Sequence, residues 1–328
     1  MTTFPLRFCR LSNGWVLSFL MFAGCHAVLP PGPAAADLVR RGIAESEQHN
    51  YAGAIADFER ALALVPDDGD VRYNLALAKS ESRDYAGAVA EFDRVLRLNP
   101  GDAEACLSRG SAKFYQEDYA GAIADYDRAV ALDPRYTSAV YARALAKRRL
   151  GNFAGAFADY DRAIALDPDY WRAYNGRATA HNAHGDFALA IADYTRRIEL
   201  APEGDEYAWF QRSLLRRRLG RTGADGQLAQ EVARWPEGWP KVVGQYLLGR
   251  LGADELLRRA AEPTDPQTRR EQLCEADYYV GITALLAGRG AEAREKFQAC
   301  VDTGVSAFLE HLLARSELAR MAANAADK

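Results

Sequence analysis

Few residues in this chain stand at spacings that do chemistry. His181 and His184 lie three apart with Asp186 just beyond, the spacing of a metal pair on one helix face. No third ligand stands near them, and a histidine at a helix C-terminus is favourable by itself because it complements the helix dipole. The group therefore reads as structural, and no metal or other cofactor is expected. Cys274 and Cys300 fall on neighbouring antiparallel helices near the same open end. An oxidising compartment would allow a disulfide there, stapling the last helical hairpin. The alternative is a small buried thiol filling a tight packing position. No C-x-x-C, G-x-S-x-G, H-E-x-x-H or phosphate-cradling glycine loop occurs, so nothing supports catalysis.

The remaining chemistry is at the N-terminus. MTTFPLRFCR carries Arg7 and Arg10, and WVLSFLMFAG (15–24) is a short apolar core, the order of an export signal. Cys25 follows Phe22-Ala23-Gly24, a match to the bacterial lipobox with phenylalanine where leucine is usual. The match implies removal of residues 1–24 and lipidation at Cys25. Cleavage after Ala34-Ala35-Ala36 is the alternative and would leave a soluble periplasmic protein. LPPGPAAA (29–36) is stiff and proline-rich, which suits a linker over residues 25–35.

These features sit on a chain that repeats itself. YAGAIADFERALALVP (51–66), YAGAVAEFDRVLRLNP (85–100), YAGAIADYDRAVALDP (119–134), FAGAFADYDRAIALDP (153–168) and FALAIADYTRRIELAP (187–202) end on prolines 34 residues apart, and Pro236 keeps the register. Apolar residues recur at three- and four-residue steps within each unit, as with Tyr119, Ala122, Ile123, Tyr126, Ala129 and Val130. A first helix precedes each such stretch, in the third unit from Ala103 to Gln116, and the proline stops the second. One helix pair cannot bury its own apolar face, so neighbouring pairs must stack.

The pattern resembles the tetratricopeptide repeat family. Counted back from each proline, the small residue of position 8 is Gly42, Ala76, Gly110, Ala144 and Ala178. Position 20 is Ala54, Ala88, Ala122, Ala156 and Ala190, and the aromatic of position 24 is Phe58, Phe92, Tyr126, Tyr160 and Tyr194. The resemblance implies an all-α fold, a right-handed α-solenoid of helix-turn-helix units, with five regular units over 36–202. Arg197 then replaces the alanine of position 27, and the sixth unit (203–236) puts Arg212 at position 8 and Glu231 at position 27. Bulky charges at close helix contacts predict a seam between about 197 and 236. The C-terminal part (237–328) holds one more pair over 274–304, with Gly281, Ala293, Phe297 and Cys300 at positions 8, 20, 24 and 27. A last helix (306–321) is expected to cap it with a polar outer face. Residues 235–320, from WP through CEADYYVGITALLAGRGAEAREKFQA, resemble the tail of the NlpI-like lipoproteins. That resemblance implies an outer-membrane adaptor facing the periplasm, with a protease or murein hydrolase as partner.

Composition agrees with a helical body. Of 328 residues 26% are charged, the formal net charge is −4, and no apolar run approaches the roughly 20 residues that span a bilayer. Nucleic acid is disfavoured because no basic excess exists. Asp57/Arg60, Asp125/Arg128 and Asp159/Arg162 read as salt-bridged pairs three apart on a solvated face. In the family, positions 2, 5, 9, 12 and 13 of the first helices line the concave groove. Here they include Tyr73, Phe114, Tyr115, Tyr141, Arg148, Arg149, Arg172 and Asn182, residue types that anchor peptides. The expected function is a non-catalytic scaffold binding envelope proteins or peptide segments. Two alternatives stand beside it: an assembly protein that dimerises through its C-terminal part, and a murein- or carbohydrate-binding module that uses the same aromatics.

Overall fold

The computed structural model describes residues 32–201, 206–221, 223–306 and 308–326; Cys9, Cys25 and the signal stretch lie outside them. Among the described residues there are seventeen helices and no strand. The chain divides into two compact units, residues 1–152 and 153–328. The boundary falls inside the fourth repeat, between its first helix and its second.

The first unit contains α1 (Pro33–Glu47), α2 (Tyr51–Leu64), α3 (Gly69–Glu81), α4 (Tyr85–Leu98), α5 (Ala103–Tyr115), α6 (Tyr119–Leu132) and α7 (Thr137–Arg149). Helix α1 starts inside the stretch read as linker, because Pro33 takes the first helical position, where its missing N–H costs nothing. Each second helix opens on the quoted Y-A-G-A motif, and the cap explains the glycine. Asn50, Asp84 and Asp118 accept from the N–H of Gly53, Gly87 and Gly121. A Cβ on Gly121 would lie 2.1 Å from the Asp118 carboxylate, so no larger residue fits beneath the cap. Close packing holds the helix pairs together. Ala54, Ala88 and Ala122 are fully buried against Phe58, Phe92 and Tyr126, as expected. Consecutive first helices touch one another, α1 with α3, α3 with α5 and α5 with α7, whereas the second helices make no comparable contacts among themselves. The first helices therefore form the inner layer of this unit, and their free side is its inner face.

The second unit contains α8 (Phe153–Leu166), α9 (Trp171–His184), α10 (Phe187–Leu200), α11 (Glu206–Arg218), α12 (Ala224–Arg234), α13 (Trp239–Leu247), α14 (Ala253–Ala260), α15 (Pro266–Leu286), α16 (Gly290–Asp302) and α17 (Leu309–Ala326). Its core joins Phe210, Leu214, Leu228, Val232, Val243, Leu247, Tyr278, Tyr279 and Phe297. Two of the charged residues expected to mark a seam lie on tryptophan rings. Arg197 is buried with its guanidinium 4.4 Å from the Trp171 ring and a hydrogen bond to the Ala201 carbonyl. Arg212 lies 4.4 Å over Trp209 and donates to Gln227 at 2.9 Å. Planar guanidinium on an aromatic face packs like an apolar plate, and α9 and α10 stay closely packed around Arg197, whereas α12 meets α11 far less extensively than the second helices of the regular units meet their first helices.

The last helix also departs from expectation. It starts at Leu309 rather than Ser306, and it does not merely cover an end with polar residues. Glu310, His311, Leu313, Ala314 and Glu317 are all buried.

Candidate functional site

The recurrent acids of the second helices are not on a solvated face. Asp57, Glu91, Asp125, Asp159 and Asp193, all at position 23, are buried. Asp125 accepts from Arg109 Nε at 2.9 Å and again from Arg109 Nη2, and Lys113 Nζ lies at 2.9 Å. Arg109 also reaches back to Asp93 of the preceding repeat at 2.6 Å. Arg177 bonds Asp193 at 2.8 and 2.6 Å and reaches Asp161 in the same way, and Arg41 holds Asp57 in a two-pronged pair. For Asp57, Asp125 and Asp193 the bidentate partner is the arginine sixteen residues upstream on the facing helix, whereas Glu91 is held by Arg72 at 3.1 Å and by Arg94, three residues on, at 2.8 Å. Arg60 stands 3.7 Å from Asp57, and Arg128 donates to the Pro100 carbonyl at 2.6 Å. The signal was legible as arginine at position 7 with an acid at position 23, but it crosses two helices.

The histidine pair is structural. His181 and His184 both turn Nδ1 toward Asp186 Oδ2, at 3.4 and 2.9 Å, and His181 stacks on Phe157 with ring centroids 4.3 Å apart. Burial works to raise the Asp186 carboxyl, but hydrogen bonds from the two histidines outweigh it and lower it. Among the described residues no group of three or more histidine, cysteine, aspartate or glutamate side chains could hold a metal ion. Cys274 and Cys300 are fully buried with their sulfurs 3.1 Å apart, and Cys106 is buried by itself elsewhere.

The eight groove residues separate into buried and accessible sets. Tyr73 is 1% exposed, its hydroxyl 2.9 Å from Ser108 and its ring edge-on to Phe92, so it belongs to the core. Asn182 is likewise buried and donates to Gln211 at 3.1 Å, and Arg148 is buried. Arg172 lies in the second unit, 4.6 Å from the adjacent Trp171 ring. Tyr141 is half-buried on the inner layer of the first unit. Phe114, Tyr115 and Arg149 do come together. Tyr115 is 51% exposed and stacks on Tyr85 at 5.3 Å with an interplanar angle of 14°. Phe114 meets Tyr119 edge-on at 5.2 Å, and the Arg149 guanidinium lies 5.9 Å from the Phe114 ring. Tyr85 and Tyr119, both at position 17, were not singled out from the sequence, because they start second helices rather than line first ones. Tyr115 thus presents a rigid aromatic plane to solvent, braced by the Tyr85 ring.

A second polar cluster lies in the second unit. Trp239 Nε1 donates to Glu275 at 2.7 Å, and Tyr279 donates to Glu310 at 3.1 Å. Burial, with the nearby Glu310 charge, pushes the Glu275 carboxyl up to about 8. An unfolded glutamate titrates near 4.3, so between roughly pH 4.3 and pH 8 the folded chain holds a proton that the unfolded chain has lost. Stability is therefore fully present below that window and falls as pH rises through it. Glu275 keeps partial exposure, so water repays some of the cost, and the loss is on the order of 2 kcal/mol. Glu275→Gln, which retains the acceptor for Trp239, is expected to raise the melting temperature at pH 8 and leave it nearly unchanged at pH 4.5. Melting curves at the two pH values check this.

Comparison with known proteins agrees with the geometry. Sequence profiles described as "Tetratricopeptide repeat" match residues 46–108 and, as a second profile, 107–170 and 141–205. The chain is similar in structure to PilW, described as a type IV pilus biogenesis factor, at 20% identity over 66% of this chain and 99% of that one, TM-score 0.58. It is similar to a tetratricopeptide repeat protein from Parabacteroides merdae at 15% identity over 80% and 99%, TM-score 0.57. It is also similar to PilF of Pseudomonas aeruginosa at 14% over 66% and 98%, TM-score 0.54. No curated protein sequence matches the chain significantly.

Proposed function

Because the chain is a tetratricopeptide repeat protein, we propose that it is a non-catalytic scaffold of the bacterial envelope that holds an extended protein segment against its first unit. The observation that carries this reading is the exposed Tyr115 ring within a cluster of the half-buried Tyr85, Phe114, Tyr119 and Arg149. A planar aromatic side chain open to water and braced by other rings is of the type that dominates recognition. The scaffold is exported and tethered to the outer membrane through Cys25; the supporting feature is the order of Arg7, Arg10, the apolar core and Cys25 in the sequence. Its partner is an envelope protein, a protease or murein hydrolase by the likeness of residues 235–320 to the NlpI-like tail.

Two experiments test the parts separately. Crosslinked material pulled from cells is expected to contain a partner that a Tyr115→Ala, Arg149→Ala variant loses; recovery of the same proteins with both contradicts the proposed site. Blocking signal peptidase II is expected to trap a precursor, and normal processing in its presence overturns the anchor. In the oxidising envelope Cys274 and Cys300 close a disulfide. Thiol titration of unfolded, unreduced protein should then find neither cysteine free, and reduction should lower stability by about 2–4 kcal/mol.

A further inference from the structure

The last helix does more than end the second unit. Helix α17 packs on α16 and α15, as a terminal cap would, but it also packs on α9, the first helix of a repeat far upstream. Arg320 Nη1 donates to the Ala183 carbonyl at 2.8 Å and to the Asn182 carbonyl at 3.4 Å, 137 and 138 residues back along the chain. Those carbonyls belong to the last turn of α9, where a cation also complements the helix dipole. Glu317 is 2% exposed and accepts a two-pronged pair from Arg218, the last residue of α11, with Arg320 closing the group at 2.6 Å. Arg218 and Arg320 both lie over the Phe187 ring, at 4.2 and 5.6 Å. At the start of α17, Glu310 accepts from Tyr279 of α15.

The face that α17 turns inward has a defined pattern. Glu310, Leu313, Ala314 and Glu317 are buried at steps of three and four, and Leu318 and Met321 extend the stripe against the same core. Its neighbours α9, α11 and α15 are all first helices of their pairs, the layer that forms the inner face in the first unit. A terminal cap has no need of a buried two-arginine clamp on α9 and α11. An amphipathic helix laid into a groove does, because the clamp fixes its register.

We propose that α17 is a built-in occupant of the inner face of the second unit, latched by the Arg218–Glu317–Arg320 cluster, and that this face takes amphipathic helices with acidic residues seven apart flanking small and branched apolar ones. While α17 is latched, the face is closed to other helices, and a partner segment must present the same pattern and displace it. Burial alone would raise the Glu317 carboxyl, but the two guanidiniums outweigh it and hold it below the usual range, so the latch is charged at neutral pH. This goes beyond the scaffold reading, which concerns the first unit, and it stands or falls without it.

The test uses the full chain and a fluorescent peptide of residues 308–326 added in trans. Wild type is expected to bind the peptide weakly, its site being filled. Glu317→Lys repels both arginines, frees α17, and is expected to bind the wild-type peptide about tenfold tighter or more. Arg218→Glu is expected to prefer a peptide carrying Glu317→Arg over the wild-type peptide. A cooperatively folded Glu317→Lys variant that binds no better than wild type overturns the proposal. Should that variant not fold, hydrogen exchange on Glu317→Gln decides: faster exchange of 309–326 than of α16 supports the latch, and equal protection of the two helices contradicts it.

Discussion

Asp125→Ala is expected to lower stability by about 3–5 kcal/mol, while Arg128→Ala three residues on costs well under 1 kcal/mol. Removing the Asp125 carboxylate takes away the acid that Arg109 and Lys113 share at a helix–helix contact with little access to water, leaving Arg109 only the partly exposed Asp93. The cost is that of leaving charge unpaired, and it exceeds anything an exposed pair returns. Arg128 has no comparable burden, because its guanidinium is exposed and bonds a loop carbonyl. Joining Arg109→Ala to Asp125→Ala should cost less than the sum of the two, since each single change already destroys the pair. Chemical denaturation of the four variants checks both statements. Equal effects of Asp125→Ala and Arg128→Ala would return the weight to pairs along one helix.

Gly110→Val is expected to cost about 3 kcal/mol or more, a large effect for adding three carbons. A Cβ at Gly110 would lie 2.6 Å from the Tyr126 ring and 3.2 Å from the Ala122 carbonyl, one neighbour a fully packed aromatic and the other backbone. The backbone cannot retreat without separating α5 from α6. Tyr126→Leu should recover part of the loss by withdrawing the ring, although alone it leaves a cavity. Gly101→Ala, with only the Asn99 side chain at 3.6 Å, serves as the control and should change little. Thermal melts of the set decide it: a tolerated valine would mean that the helix contact at position 8 is looser than described.

Where the sequence was legible, periodicity made it so. Gly110, Ala122 and Tyr126 stand for a contact that recurs every 34 residues, and one repeat could be read against the next. The Arg109–Asp125 pair is just as periodic, but its members lie on facing helices, and the closer Arg128 drew the pairing along a single helix. Tyr73 and Tyr115 show the limit for a site. Both are tyrosines of first helices, yet Ser108 in the next repeat draws one inward, whereas the other meets the Tyr85 and Phe114 rings and stays exposed. Exposure depends on neighbours from other repeats, which position numbers alone do not supply. The Arg218–Glu317–Arg320 cluster was beyond reach for a further reason. It joins Arg218 of the sixth unit to a residue 99 further on, beyond the last pair, and no spacing rule connects them. Arg197 leaves its pair closed because a guanidinium laid on tryptophan fills space, whereas the sixth pair, α11 with Arg212 and α12, packs less extensively than the regular ones.

The central claim is that the aromatic cluster of the first unit holds a protein segment. A photo-crosslinking residue placed at Tyr115 in growing cells tests it most directly, with Leu132, exposed at the end of α6, as the comparison position. The account predicts one discrete adduct from position 115 that fades when Arg149 is changed to alanine. No adduct there, or the same adduct from position 132, would contradict it.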